Sequence, residues 1–331
     1  VKKMKPRILV TTTSFQDTPG RHHEMLADTG WEIIKERGPL SEVDTLAAVG
    51  AIDGYICGDD VITRAVLERA CPRLKVLSKY GICVDKIDVD AATEMGLPLL
   101  FTPGVNHTTV AEHTFLLLLS IEKHLLFHAD STRQGGWKRK TGREIAGKTI
   151  GIVGMGRIGK EVAKRAKAFG MTVIGYDVYW DESFAGEHQI ERVNDFHDLF
   201  PRVDYLSLHT NLTPDTRELI RNETIKLLKD DAVILNCARG EIVNTNDVAK
   251  ALESGALRGY GTDVLDEEPP AKDHPLTKLP NCLVTPHIGS RTLESVQRQA
   301  VAAVTNLVQA MRGEPPLAQV NPTVVVQNVV G

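Results

Sequence analysis

The sequence predicts an α/β protein of two units, each a doubly wound parallel sheet covered by helices. Three observations carry this. Short apolar runs of strand length alternate with helical stretches along the chain, the pattern of parallel strands joined by crossover helices. The alternation occurs twice, once on each side of about residue 104, and a long apolar helix opens the second set. The length of 331 residues also exceeds one ordinary core, so two domains are expected.

In the first hundred residues "RILVTTT", "WEIIKE", "DGYICG", "LKVLSKYG" and "LPLLFT" read as strands. "RAVLERA" and "VDAATEMG" have helical spacing, the second stopped by Gly96 and Pro98. A single helix is expected from about Thr108 to Phe127, followed by the polar "RQGGWKRKTGRE". From Gly147 onward "KTIGIVG", "MTVIGYD", "VDYLSLH", "AVILNCA", "GYGTDVL" and "NCLVTP" read as strands. The last helix, about Leu293 to Met311, lies beyond the final strand and can return to the first unit, which would make that unit discontinuous and leave a ligand cleft between the two.

Composition narrows the function. A net charge of −4 and a pI near 6.3 exclude nucleic acid or an anionic membrane as the main partner. The longest apolar run, "FLLLLSI", falls far short of the roughly 20 residues that span a bilayer. The start of the chain has no apolar stretch before a cleavage-like site, so no signal peptide is read and a cytoplasmic protein is expected. Five scattered cysteines without CxxC spacing fit reduced thiols, not a disulfide or zinc framework. His124 and His128 stand one helical turn apart near Glu122, but no metal motif accompanies them, and no metal is expected.

"GIVGMGRIGKEVAKRAKAFGMTVIGYD" places Gly154, Gly156 and Gly159 as GxGxxG at a strand-to-helix turn. The first glycine permits the turn, the second lets backbone approach a pyrophosphate, and the third lets the helix pack on the strand. The helix N-terminus offers N–H groups and a partial positive charge to the phosphates. Asp177 closes the next strand, where a carboxylate accepts from a ribose diol. No Arg or Lys follows in "DVYWDESFAGE" to meet a 2′-phosphate, so the cofactor expected is NAD.

Three further residues follow later strands: Arg239 in "ILNCARGEIV", Glu268 in the loop after "GTDVLD", and His287 in "LVTPHIGS". Hydride transfer to a 2-keto acid needs a cation for the carboxylate and a proton donor for the carbonyl oxygen. An arginine supplies a forked, permanently charged grip. A histidine cycles a proton near neutrality, and a carboxylate on its other nitrogen orients the ring. Bland readings stand beside these: Arg239 as a salt-bridged loop residue, Glu268 as a solvated acid before Pro269, His287 as a satisfied strand cap.

The stretches "SKYGICVDKIDVDAA", "TPGVNHTTVAEHT", "GKTIGIVGMGRIG", "SLHTNLTPDTRELI", "LNCARGEIV", "GTDVLDEEP" and "NCLVTPHIG" occur in this order, and on them the chain resembles the D-isomer-specific 2-hydroxyacid dehydrogenases over nearly its whole length. The resemblance implies a flavodoxin-like substrate domain of residues 1–103 and 292–331, a Rossmann NAD-binding domain of residues 104–291, and a homodimer built on the latter. It implies Arg239, Glu268 and His287 as the catalytic triad. It adds cofactor contacts at Arg157, Ile158, His209, Cys237, Ala238, Asp263 and Thr109, and substrate contacts at Tyr80, Gly81, Ile82 and Cys83 besides Arg239. Cys83 stands where the family usually has glycine, which leaves the path of that loop open.

Phosphoglycerate dehydrogenase is the leading label that the resemblance gives, with a glyoxylate or hydroxypyruvate (glycerate) reductase as the alternative and an NAD-sensing regulatory protein as a third reading. Gly58-Asp59-Asp60 stands against a phosphorylated substrate, since phosphate-binding relatives tend to place a base there, unless Lys79 or a partner subunit supplies the charge.

Overall fold

The computed structural model describes residues 5–330. The chain divides into two compact units, Val1–Asn106 with Arg291–Gly331, and His107–Ser290. Each is described in turn.

Among its described residues the first unit holds five strands, β1 (Arg7–Val10), β2 (Glu32–Lys35), β3 (Gly54–Cys57), β4 (Val76–Lys79) and β5 (Leu99–Leu100), all parallel in the order β2-β1-β3-β4-β5. This is the flavodoxin-like order. β3 and β4 are buried along their whole length, as central strands covered on both faces must be. One covering layer comes from the helix Leu293–Met311, whose Ala300, Ala303, Val304 and Leu307 pack on Ile8, Ile56, Val76 and Leu100. Polar side chains fix the returning segment. Ser78 Oγ donates to the Ala303 carbonyl at 2.9 Å, and Asn306 Nδ2 to the Phe101 carbonyl at 2.9 Å. Asn321 Oδ1 accepts from the Leu99 N–H at 2.9 Å, so the tail closes the β5 edge of the sheet.

The second unit holds seven parallel strands: β6 (Thr149–Val153), β7 (Thr172–Tyr176), β8 (Glu191–Arg192), β9 (Tyr205–Leu208), β10 (Val233–Asn236), β11 (Gly259–Thr262) and β12 (Cys282–Val284). Their order is β12-β11-β10-β9-β6-β7-β8, the Rossmann arrangement with a seventh strand added. β8 is an addition to the expected elements. It is two charged, exposed residues long, too short for any alternation to betray it.

The helix expected from about Thr108 to Phe127 is two helices, His107–Glu122 and Leu125–Arg133. The break is imposed by a later segment of the chain. The Arg143 N–H donates to the Glu122 carbonyl at 3.0 Å, the acceptor that a continuing helix would use, and His124 turns left-handed with φ 49°. The Glu122 side chain is fully buried and pairs with Arg258 at 2.7 Å, while both His128 ring nitrogens bond to backbone, at Lys123 and Lys140.

Removing one partner of a buried ion pair leaves an uncompensated charge, which costs about 3–5 kcal/mol. Arg258→Ala is therefore expected to lose stability on that scale in urea unfolding. Adding Glu122→Gln to the same chain should restore part of the loss, because the stranded charge is then gone.

Candidate active site

Parallel strands put their carboxyl ends on one edge of the sheet, and ligands of such sheets bind there. At the point where strand order reverses, between β6 and β9, stands the glycine turn. Gly154 has φ +96°, and a Cβ there would lie 2.6 Å from the His209 carbonyl at the end of β9. A Cβ on Gly159 would lie 2.0 Å from the Gly154 oxygen, so only glycine lets the helix Arg157–Ala168 start so close to its strand. Gly156 differs. A Cβ on it meets no atom within 4 Å, and its backbone faces open space at the N-terminus of that helix. His209, next to this turn, has Nε2 2.7 Å from Ser207 Oγ, and burial of the ring holds it down to about 3, hence neutral at physiological pH. Asp177 closes β7, and its Oδ1 accepts from the Tyr179 N–H at 2.8 Å.

The second cluster follows β10, β11 and β12, three neighbouring strands. His287 Nδ1 is 2.8 Å from Glu268 Oε2, and Glu268 Oε1 accepts from the Leu265 N–H at 3.0 Å, so the carboxylate is held by backbone while it holds the ring. Arg239 leaves β10 with extended backbone (φ −142°), and its carbonyl accepts from Asn236 Nδ2 at 2.9 Å. Its neighbour Gly240 lies against the Glu268 loop so closely that a Cβ would be 2.0 Å from the Leu265 carbonyl carbon. In that loop His274 Nε2 sits 3.0 Å from Asp266 Oδ1. Burial works to raise the Asp266 carboxyl, but the bond from His274 and others hold it below the usual carboxylate range.

Asp263 is the hub of the cluster. Its main-chain oxygen accepts from the His287 N–H at 2.9 Å. Its Oδ1 accepts from Thr285 Oγ1 at 2.6 Å and the Ile288 N–H at 2.9 Å, and Oδ2 from the Gly289 N–H at 2.7 Å. Burial alone would raise this carboxyl, yet bonds from His113, Thr285 and Ile288 hold it low. Cys237, expected on the nicotinamide side, has its thiol pushed up to about 12 by burial and is an inert neutral group.

The model of the D-isomer specific 2-hydroxyacid dehydrogenase NAD-binding domain matches residues 115–289, over half of the chain. The chain belongs to the D-isomer-specific 2-hydroxyacid dehydrogenase family. It is 42% identical to a D-3-phosphoglycerate dehydrogenase of Methanocaldococcus jannaschii over 76% of its own length, a match that spans 48% of that relative. It is 35% identical to a glyoxylate reductase of Korarchaeum cryptofilum over 97% of this chain and 98% of that one. Among solved structures, the TT0316 protein of Thermus thermophilus aligns with a TM-score of 0.86 at 37% identity, over 95% of this chain and 99% of that one. As a member of this family the chain is an NAD-dependent oxidoreductase acting on CH–OH donors.

NAD fits what the turn provides. The open space over Gly156 and the N–H groups at the start of the helix suit a pyrophosphate, and the Asp177 carboxylate suits a ribose diol. Thr109 is buried in the first turn of the helix His107–Glu122, and Ile158 and Arg157 open the helix after the glycine turn.

In the first unit the expected substrate residues follow β4. Tyr80 is buried against Phe15, and its hydroxyl accepts from Ser14 Oγ at 3.3 Å, so the phenol faces inward. The Gly81 N–H donates to Thr102 Oγ1 at 2.9 Å, while Ile82 and Cys83 are half-buried. The charge expected at Asp59 and Asp60 is largely absorbed. Asp60 is buried and accepts from Thr11, Tyr55, Gly58 and Leu40, and Asp59 pairs with the buried Lys79 at 2.7 Å. Sequence reading missed His113, Thr285 and Gly240. His113 lies inside the quoted "TPGVNHTTVAEHT", the only signal that pointed to it.

Gly156→Ala separates folding from binding. Since the added Cβ meets nothing, stability should change by no more than about 0.5 kcal/mol. NADH affinity, read by fluorescence titration, should fall at least about tenfold, because the methyl occupies the space a pyrophosphate needs.

Proposed function

We propose that the chain reduces a small, unphosphorylated 2-keto acid of the glyoxylate or hydroxypyruvate class, with NADH, to the D-2-hydroxy acid. Lys79 carries the choice of substrate. It is the buried last residue of β4, and its Nζ is already bound to the loop after β3, at the Gly58 carbonyl at 2.5 Å and at Asp59 at 2.7 Å. A phosphate brought to this loop would have to compete with Asp59 for that ammonium. The M. jannaschii relative favours the second reading, 3-phosphoglycerate and phosphohydroxypyruvate.

The roles follow from the chemistry of each group. Bound NADH supplies the hydride. His287, oriented by Glu268 through Nδ1, gives a proton from Nε2 to the carbonyl oxygen and takes it back in the reverse direction. Arg239 grips the carboxylate and polarises the carbonyl. Asp177 holds the ribose, Gly154, Gly156, Arg157, Ile158 and Gly159 surround the pyrophosphate, Cys237, Ala238, Asp263 and Thr109 form the nicotinamide side, and His209 is on the cofactor side of β9. The substrate carboxylate goes to the loop Tyr80–Cys83, where the amides after Gly81 are its donors because the Gly81 N–H is spent on Thr102.

A panel of 2-keto acids with NADH oxidation as readout tests the reading. Glyoxylate or hydroxypyruvate should give the highest kcat/KM; a higher value for phosphohydroxypyruvate would overturn the substrate. His287→Ala should lower kcat by about 10²–10⁴-fold, the usual contribution of a general acid, while NADH binding is retained.

The protein is further proposed to be a homodimer through the NAD-binding unit, where Leu116, Leu125, Leu126 and Trp137 are exposed large apolar side chains. Sedimentation should give twice the mass of the 36.3 kDa chain, and Leu126→Glu should shift it toward monomer.

A further inference from the structure

The turn that carries His287 is strained. His287 has φ 52°, a left-handed conformation that a residue with a side chain seldom adopts, so the backbone returns to ordinary geometry unless its neighbours hold it. Asp263 is what holds it, through the His287, Ile288 and Gly289 N–H groups. Asp263 is itself held from outside the sheet.

The helix His107–Glu122 approaches β11 over two glycines. A Cβ on Gly259 would touch Ile121 at 3.1 Å, and one on Gly261 would touch Leu117 at 3.2 Å and Ile121 at 3.0 Å. Ile121, Leu117 and His113 are spaced by four and share one helix face, while Gly259, Gly261 and Asp263 alternate onto one side of the strand. Four helix residues and two strand residues advance the chain by similar lengths, roughly 6 Å and 6.7 Å, so the next helix residue in the series meets the next strand residue. That pair is His113 and Asp263. The His113 ring is buried, with Nε2 3.3 Å from Asp263 Oδ1 and 2.8 Å from Thr285 Oγ1.

Proton accounting fixes the direction of these contacts. The single hydroxyl proton of Thr285 goes to Asp263 at 2.6 Å, so Thr285 Oγ1 can only accept from His113, and His113 carries its proton on Nε2. Even Gly289 is shaped by the pair, since a Cβ there would lie 2.8 Å from Asp263 Oδ2 and 3.5 Å from the His113 ring.

We propose that His113 is a positioning residue. By donating from Nε2 to Thr285, which donates in turn to Asp263, it ties the turn 285–289 to the helix and sets the orientation of His287. The effect on turnover rests on His287 being the acid–base group proposed above; the effect on the turn does not.

The test uses the full chain with His113→Ala, His113→Gln and Thr285→Val. Two readouts are taken: hydrogen–deuterium exchange of the amides at 287–289, and kcat and KM for the best keto acid. In His113→Ala the turn amides should exchange faster. Its kcat should fall about 10- to 100-fold, as expected for a misplaced reacting group, with keto-acid KM within about twofold. A glutamine restores an N–H donor and should recover most of both readouts, a rescue that mere filling of space would not give. Thr285→Val, which keeps the shape, should reproduce the alanine result and decides the matter if His113→Ala does not fold. Unchanged exchange and kcat in the folded variant overturn the proposal, as does a glutamine variant as impaired as alanine, or a change confined to KM. If the wild-type chain turns over no keto acid, the functional reading falls, and the exchange data alone decide the role of His113.

Discussion

All seven strands of the second unit run the same way, and the chemistry of the chain depends on that constraint. Parallel strands cannot be joined by tight turns, so each carboxyl end opens into a loop on its way to a crossover. Those loops share one edge. The glycine turn after β6, the Arg239 loop after β10, Asp263 after β11 and His287 after β12 are consequences of this arrangement. Residues more than a hundred positions apart in sequence are thereby carried to the same edge of one sheet.

Close approach of backbone to backbone then sets the fine geometry. Gly159 against Gly154 and Gly240 against the Leu265–Asp266 peptide each replace a side chain by direct contact. At such places the position of a functional loop is set by van der Waals contact, which is stiffer than any hydrogen bond of a flexible side chain. The ionic features follow the same economy. Lys79 and Glu122 are buried charges, each neutralised by a more exposed partner, Asp59 and Arg258, that ties it to a neighbouring segment.

Much of this was legible in the sequence. Every expected strand is present, because strands buried on both faces leave continuous apolar runs such as "VILN" and "GYIC", and the helix Leu293–Met311 shows its period plainly. The glycine motif and the three residues at strand ends could be read because their spacing from a strand is fixed by the fold. The rest depended on tertiary contacts. The helix break at His124 is imposed by a segment twenty residues further on, which no local pattern records. Asp60 reads as a surface acid but turns inward, since Thr11 and the Leu40 N–H, remote in sequence, join the nearby Tyr55 as its donors. His113 hides in an apolar helix because its partners, Thr285 and Asp263, lie more than a hundred positions away.

The return of the helix Leu293–Met311 to the first unit bears on how the chain is made. One face of the five-stranded sheet, with Ile8, Ile56 and Val76 on it, is covered by Ala300, Ala303, Val304 and Leu307. On the ribosome those strands emerge long before their cover does. The inserted unit, contiguous from His107 to Ser290, is complete first. The usual order of synthesis, in which the N-terminal domain folds before the one behind it, is reversed. The nascent N-terminal sheet must wait with apolar surface exposed while nearly two hundred further residues are translated, and that interval is when it is open to chaperones or to aggregation.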